Sequence, residues 1–349
     1  MELDISGEMP LAVDENFLGV LPLPIGCTIL LLNSIANQLR TRDDMSIRSI
    51  VKKYTPVSLH PPMISAAQAL SLWPRAIGSM IIDDQKAHEA RRTKFAMQYF
   101  RESLERVSVW ARNHTEESNF LYAMTPASRL YLSHVLSIIF RVEPATVRGI
   151  FAEIESDQDF RSHVETRLRK LIPGVGVIDI GRRLGWYAAA RLLKPRVIVE
   201  TGVDYGLGSC VMCAALQRNA SEGHPGRYYG TELRKEGGQL LDAPYSNVGQ
   251  ILYGDSIETL SAFSEPIGLF INDSDHSVLY EAKEYETVRY KLAPNSVILG
   301  DNSHFSTALA EFSEATGRRF VFFRETPKDH WYPGAGIGFS SCGDLVSPQ

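Results

Sequence analysis

VIVETGVDYGLGS, residues Val197 to Ser209, reads as a short β-branched strand followed by a glycine-rich turn and a helix start. The strand closes on Glu200, at the carboxyl end, where open α/β sheets bind their ligands. Gly202, Gly206 and Gly208 follow, and glycine lets a backbone turn sharply and approach a ligand closely. Ser209 stands where the helix begins. The order ExGxxxGxG is not the GxGxxG of dinucleotide binding, which speaks against a nicotinamide oxidoreductase.

Outward from this stretch, β-branched runs alternate with helical ones. Strands are expected at Arg196–Glu200, Tyr228–Glu232, Ile251–Gly254, Gly268–Asp273, Ser296–Gly300, Phe320–Arg324 and Ile337–Ser341, with helices between the first six. That alternation implies a parallel sheet with helices on both faces. The last connection, Glu325 to Gly336, is too short for a crossover helix, so the seventh strand should return antiparallel. Before Leu171–Gly176, a link bearing proline and glycine, the pattern from about Ile47 is helical. Apolar residues recur at helical steps in Tyr99, Leu104, Val107, Trp110 and in Leu130, Leu132, Val135, Ile138. Asn113 or Thr115 suits a helix cap, and Pro144 a first helical turn.

The strand ends carry the chemistry. Glu232 closes the second strand, where an acid accepts the ribose hydroxyls of a nucleoside. Asp255 and Ser256 follow the third. The fourth runs into Asp273-Ser274-Asp275-His276, and the fifth into Asp301-Asn302-Ser303-His304. Neighbouring strands lie roughly 4.8 Å apart, so Asp273 should converge with Asp301 and Asn302. Two carboxylates and an amide oxygen suit a hard cation such as Mg²⁺ or Ca²⁺.

From about Gly185 to Ser341 these motifs resemble class I S-adenosylmethionine-dependent methyltransferases. The DSDH and Asp301-Asn302 stretches are similar to those of the metal-dependent O-methyltransferases of catechol and caffeoyl-CoA type, and Tyr280 and GWYAAARLLKPRVIVETGV to a bacterial branch that includes macrolide-sugar O-methyltransferases. The resemblance implies a Rossmann-like α/β fold, six parallel strands plus an antiparallel seventh, over residues 171–349. Residues 1–170 form a mainly helical region that would serve as lid, substrate surface or homodimer surface. It implies S-adenosylmethionine held by Glu200, Gly202, Gly206, Ser209, Glu232, Asp255, Ser256 and Asp273, with Asp255 at the adenine edge. It implies Mg²⁺ or a similar cation on Asp273, Asp301 and Asn302, with Asp275 open as the alternative fourth-strand ligand. His276 is the candidate base, with Asp275 and His304 as rivals. A cation-bound hydroxyl of a small natural-product-type molecule would then be methylated. The aromatics His330, Trp331 and Tyr332 would wall that substrate or merely anchor the hairpin. A metal-independent methyltransferase acting on nitrogen or carboxylate, or a silent binding protein, would use the same fold differently.

Composition fits these readings without selecting among them. The 349 residues are 44% hydrophobic and 22% charged, and a net charge of −5 leaves no basic footprint for nucleic acid. Cys27, Cys210, Cys213 and Cys342 do not amount to a disulfide framework. The CxxC at 210–213 reads better as helix packing than as a redox pair. The N-terminus lacks a basic signal region. The apolar run Phe17 to Leu32 is broken by Gly19, Pro22, Pro24 and Gly26 and falls short of a membrane span, so a cytoplasmic protein is expected.

Overall fold

The computed structural model describes residues 66–342 except 115, 117, 118, 173, 177, 276 and 302, with side chains from residue 84 onward. The readings placed on Phe17 to Leu32, Cys27, Thr115, His276 and Asn302 lie outside the described residues. The chain divides into two units between His88 and Glu89. The described part of the first is the opening of helix α1 (Ala66–Asn113), and all that follows belongs to the second.

The second unit begins with the rest of α1, then α2 (Pro126–Phe140), α3 (Pro144–Glu155), α4 (Gln158–Leu171) and α5 (Arg183–Leu193). An alternating portion follows: β1 (Val197–Thr201), α6 (Leu207–Ser221), β2 (Arg227–Glu232), β3 (Gly249–Tyr253), α7 (Ser256–Ala262), β4 (Ile267–Asn272), α8 (Val278–Val288), β5 (Leu292–Gly300), α9 (Ala308–Ala315), β6 (Arg318–Phe323) and β7 (Ile337–Cys342). The sheet order is β3-β2-β1-β4-β5-β7-β6. Strands β3 to β5 in that order pair in parallel, while β7 is antiparallel to both β5 and β6. This is the layout the class I resemblance implies, with every expected strand present. One expected helix is missing. Between β2 and β3 only a 3-10 turn forms, Tyr245–Asn247, because Gly237, Gly238 and Pro244 break any helical run there.

Alternation along the strands sorts two cores onto the two faces of the sheet. Val197, Val199, Phe270 and Ile298 pack with Leu260, Tyr285, Val288, Leu309 and Phe312 of α7, α8 and α9. Ile198, Leu269, Ile271, Val297 and Leu299 face α5 and α6, and the same core takes in Leu132, Leu136, Phe151, Phe160 and Val164 from α2 to α4. Helices α2 to α4 are therefore built into the packing of the sheet.

Helix starts are set locally. Thr125 caps α2, its hydroxyl accepting from Ser128 N at 3.2 Å. Asp157 caps α4 through Phe160 N at 2.9 Å. Pro144 opens α3 as expected. Asn113 does not start a helix; it ends α1. The apolar stripe on α1 also differs from a core face, since Tyr99, Leu104 and Val107 are exposed and only Trp110 is half-buried. On α2 the buried face is Leu132, Leu136, Ile139 and Phe140, leaving Leu130 and Ile138 in water. Cys210 and Cys213 are wholly buried in α6 with free thiols, and burial raises both thiol pKa values. Among the described residues no helix is long and apolar enough to cross a membrane.

Candidate active site

Sheet register builds the site. Thr201, Asn272 and Gly300 share one rung across β1, β4 and β5. The ladder continues past the strand ends, with Asp273 N donating to Thr201 O at 3.0 Å and Asp301 N to Asn272 O at 2.9 Å. Asp273 and Asp301 therefore leave the sheet side by side, as the sequence expects. On the other flank Gly202 N bonds Thr231 O at 3.0 Å, and Gly254 N bonds Glu232 O at 2.9 Å. The carboxyl ends of five parallel strands thus open along one line.

The glycine turn packs too closely against its neighbours to admit side chains. Gly202 has φ +77°, and a Cβ there would collide with the backbone of Asp273. Gly206 has φ +94° and heads α6. A Cβ on Gly208 would lie 2.5 Å from Glu200 Oε1 and 2.9 Å from the Trp186 ring. Glu232 is held beside this turn by three donors: Asp204 N at 3.0 Å, Arg234 N at 2.9 Å and Arg234 Nε at 3.2 Å. A carboxylate has about four lone-pair positions, so capacity remains for ribose hydroxyls. The close fit of Gly237 against the Glu232 side chain requires a glycine, which explains the loop that displaced the expected helix.

The other expected cofactor contacts have different surroundings. Glu200 is buried beneath the turn, where burial pushes its pKa up to about 7 despite a 2.7 Å bond from Tyr228 Oη. Ser209 is also wholly buried and bonds the same tyrosine hydroxyl at 2.7 Å. Asp255 caps α7 through Glu258 N at 3.1 Å and accepts Tyr280 Oη at 2.8 Å, so its carboxylate is engaged within the fold. Ser256 is bonded to Tyr280 at 2.9 Å and to Glu284. Glu284 is a hub the sequence did not mark. It also takes hydrogen bonds from Thr201, Asn272 and Ser274, which fixes the tips of β1 and β4.

The acidic pair surrounds a guanidinium. Arg182 gives Nε to Asp301 Oδ1 at 2.5 Å and Nη2 to Oδ2, and its Nη1 reaches Tyr122 Oη at 2.9 Å. Tyr122 in turn donates to Glu325 Oε1 at 2.6 Å. Arg182, Tyr122, Asp301 and Glu325 are all buried. Burial acts to raise the Asp301 pKa, yet the Arg182 guanidinium holds it below the usual carboxylate range. Asp273, hydrogen-bonded to Asp301, is driven well above that range by burial and by its ionised neighbour. Their surroundings thus push the two carboxylates' pKa values apart, and Arg182 balances the charge on Asp301. A divalent cation there would have to displace the guanidinium from both oxygens of Asp301. Among the described residues no group of three or more His, Cys, Asp and Glu is placed to hold a metal.

Of the candidate bases, Asp275 is exposed and accepts Ser277 N at 2.6 Å at the start of α8. His304 is half-buried beside the pair and packs against Phe305. Its Nδ1 is buried without a hydrogen-bond partner. Burial lowers its pKa, Arg182 adds to the effect and Asp301 opposes it, so the ring is neutral near pH 7. His330 is buried instead, 3.5 Å from Glu116 and bonded through Nδ1 to Tyr332 N. It stacks with Trp110, Tyr122 and Trp331 in an aromatic cluster that joins the β6–β7 hairpin to the end of α1. Tyr332 lies 5.8 Å from Tyr122, ring to ring, and feels the charges of Arg182 and Asp301, which sets it at the edge of the acidic pair. Arg182, Tyr122 and Glu325 escaped the sequence reading because they lie outside the strand-end motifs. The one signal was the doubled arginine, Arg182-Arg183, just ahead of the alternating region.

Residues 199–303 match the family model Methyltransf_24, described as a methyltransferase domain. No curated protein matches the chain. Similar solved structures include a methyltransferase from Geobacter sulfurreducens, 18% identical over 55% of this chain and 91% of that one, with a TM-score of 0.39. Others are the O-methyltransferase TomG from Streptomyces achromogenes, involved in tomaymycin synthesis, in complex with SAM (14%, 54% and 91%, 0.39), and an O-methyltransferase from Bacillus cereus in complex with SAH (13%, 54% and 91%, 0.40). At these values the overlaps carry no weight beside strand order, register and the family match. Residues 199–303 are thus similar to a methyltransferase domain, and they lie in a sheet with the strand order that the class I S-adenosylmethionine-dependent resemblance implies.

Proposed function

We propose that this protein transfers a methyl group from S-adenosylmethionine to a hydroxyl of a small natural-product-type molecule. The residues present fit that cofactor: Gly202, Gly206 and Gly208 let the turn after β1 pack closely at the strand tips, and Glu232 beside it keeps acceptor capacity for ribose hydroxyls. When bound, the cofactor supplies an electrophilic methyl on a sulfonium. The chain's own residues must position the acceptor and remove its proton.

The observation that carries the oxygen-acceptor reading is His304. A neutral, half-buried imidazole stands next to a charge-balanced Asp301–Arg182 pair. A hydroxyl is a poor nucleophile until its proton moves to a base within hydrogen-bond reach, and a histidine with a lowered pKa is already in the accepting form at pH 7. Tyr122 and Tyr332 would wall the acceptor, and holding the two reactants in line contributes a large share of the rate.

The family likeness also suggested Mg²⁺ at Asp273, Asp301 and Asn302. Arg182 favours the metal-independent form of the reaction, because the positive charge such an ion would bring to Asp301 is already there. The convergence of Asp273 and Asp301 is the observation on the side of the metal reading. Transfer of labelled methyl from S-adenosylmethionine to a panel of hydroxylated small molecules, with wild type and His304→Ala, tests the proposal. Methylation confined to amines or carboxylates, or none at all, overturns it.

A further inference from the structure

Arg183 opens α5 and is only 9% exposed, yet it makes no hydrogen bond or ion pair among the described residues, and its Nε is buried without a partner. Its neighbour Arg182 is fully engaged, so the contrast is not a feature of the segment. A guanidinium offers five donors in a fixed fork, and protein interiors do not ordinarily leave such a group unpaired. With Nε unpartnered, the Arg183 fork has donors to offer an anionic ligand.

Its place names the ligand. The Arg183 guanidinium lies over the Trp186 ring, 5.5 Å from the centroid. Trp186 abuts Gly208, whose Cβ would sit 2.9 Å from that ring and 2.5 Å from Glu200 Oε1. Arg183 is therefore stationed beside the glycine turn. Its charge is felt at Glu200, Asp273 and Asp301, the tips of β1, β4 and β5. Glu232 stands on the opposite flank, at the tip of β2. A ligand with ribose at Glu232 extends its other end toward Arg183. On S-adenosylmethionine that end is an amino acid, and a planar carboxylate is the partner a guanidinium fork matches in two parallel bonds.

We infer that Arg183 is the carboxylate anchor of the cofactor's amino-acid tail, and so selects adenosyl ligands that carry a carboxylate. The inference rests on the cofactor reading above. Calorimetry with S-adenosylhomocysteine and with its decarboxylated analogue, S-adenosyl-3-thiopropylamine, separates the two. Wild type should prefer the carboxylated ligand by about tenfold or more, the range for bonds to charged groups. Arg183→Met should bind both alike, at the level wild type shows for the decarboxylated probe, which also verifies its fold. Arg183→Lys, which keeps the charge but not the fork, should retain a reduced preference. If Arg183→Met, or Arg183→Lys should Met not fold, keeps the full wild-type preference, the anchor assignment is overturned while the cofactor reading stands. If wild type binds neither probe, both fall.

Discussion

Arg182 and Asp301, 119 residues apart in sequence, meet in a two-point ion pair buried at the carboxyl edge of the sheet. The pair brings its own cation to a cluster of carboxylates that sequence alone would assign to a metal. Buried charge pairs contribute little net stability, but breaking one leaves a charge stranded, at a cost of about 3–5 kcal/mol. Arg182→Met should therefore lower thermal stability markedly, and adding Asp301→Asn should recover part of the loss. A double variant no better than the single one would show that the pair is not coupled.

Metal removal gives the complementary test. Protein treated with EDTA and verified metal-free should retain its turnover, because Arg182 occupies both oxygens of Asp301. Activity that vanishes with EDTA and returns with Mg²⁺ would restore the cation to the site and require Arg182 to swing away.

His304 sets the pH behaviour. Its pKa lies below the ordinary histidine value, first through burial and then through Arg182. The base must be unprotonated, so kcat/KM should stay level as pH falls through 6.5 and decline only below it. His304→Ala should fold and bind cofactor but turn over about 100-fold more slowly or worse. An unchanged rate and profile in that variant would assign proton removal elsewhere.

Glu232 is held by two backbone amides and Arg234 with capacity to spare. Bonds to a charged group contribute about 1.5–3 kcal/mol, so Glu232→Ala should weaken S-adenosylhomocysteine binding at least about tenfold. Equal affinity in a calorimetric titration would remove it from the ribose site.

Glu200 ties stability to pH. In the folded chain burial carries its pKa from the ordinary 4.5 to about 7. The folded state thus keeps a proton that the unfolded chain releases, and stability should fall as pH rises across that window. The drop is roughly 3 kcal/mol at the usual conversion of pKa shift to free energy. Glu200→Gln should flatten this part of the profile in chemical denaturation; a slope that persists unchanged would assign it to other groups.

The strands were legible because they are short apolar runs, β-branched in β1 and β5 and with an acid or amide at the tips of β1, β4 and β5, and that pattern survives without tertiary context. The acidic pair was legible for the same reason, since register brings the ends of adjacent strands together. Arg182, Tyr122 and Glu325 were not, because their meeting depends on how the 119–124 segment and the β6–β7 hairpin fold over the sheet, and nothing in local periodicity encodes that. Asp255 shows the opposite limit: an acid at a strand end can also cap the following helix, and local sequence does not tell the two uses apart. Leu132, Phe151 and Phe160, ahead of residue 171, share one core with the sheet residues Ile198, Leu269 and Leu299.

That shared core governs what can be cut or exchanged. A fragment beginning at residue 172 would expose the side of α5 that carries Gly185 and Tyr187, which meet Leu132 and Glu153, and with it an apolar surface prone to aggregation. Chimeras with other methyltransferases would have to take the stretch from Phe120 to Cys342 as one block. The hairpin at 324–336 falls under the same constraint, because Glu325 accepts Tyr122 Oη and Lys328 N bonds Ala123 O.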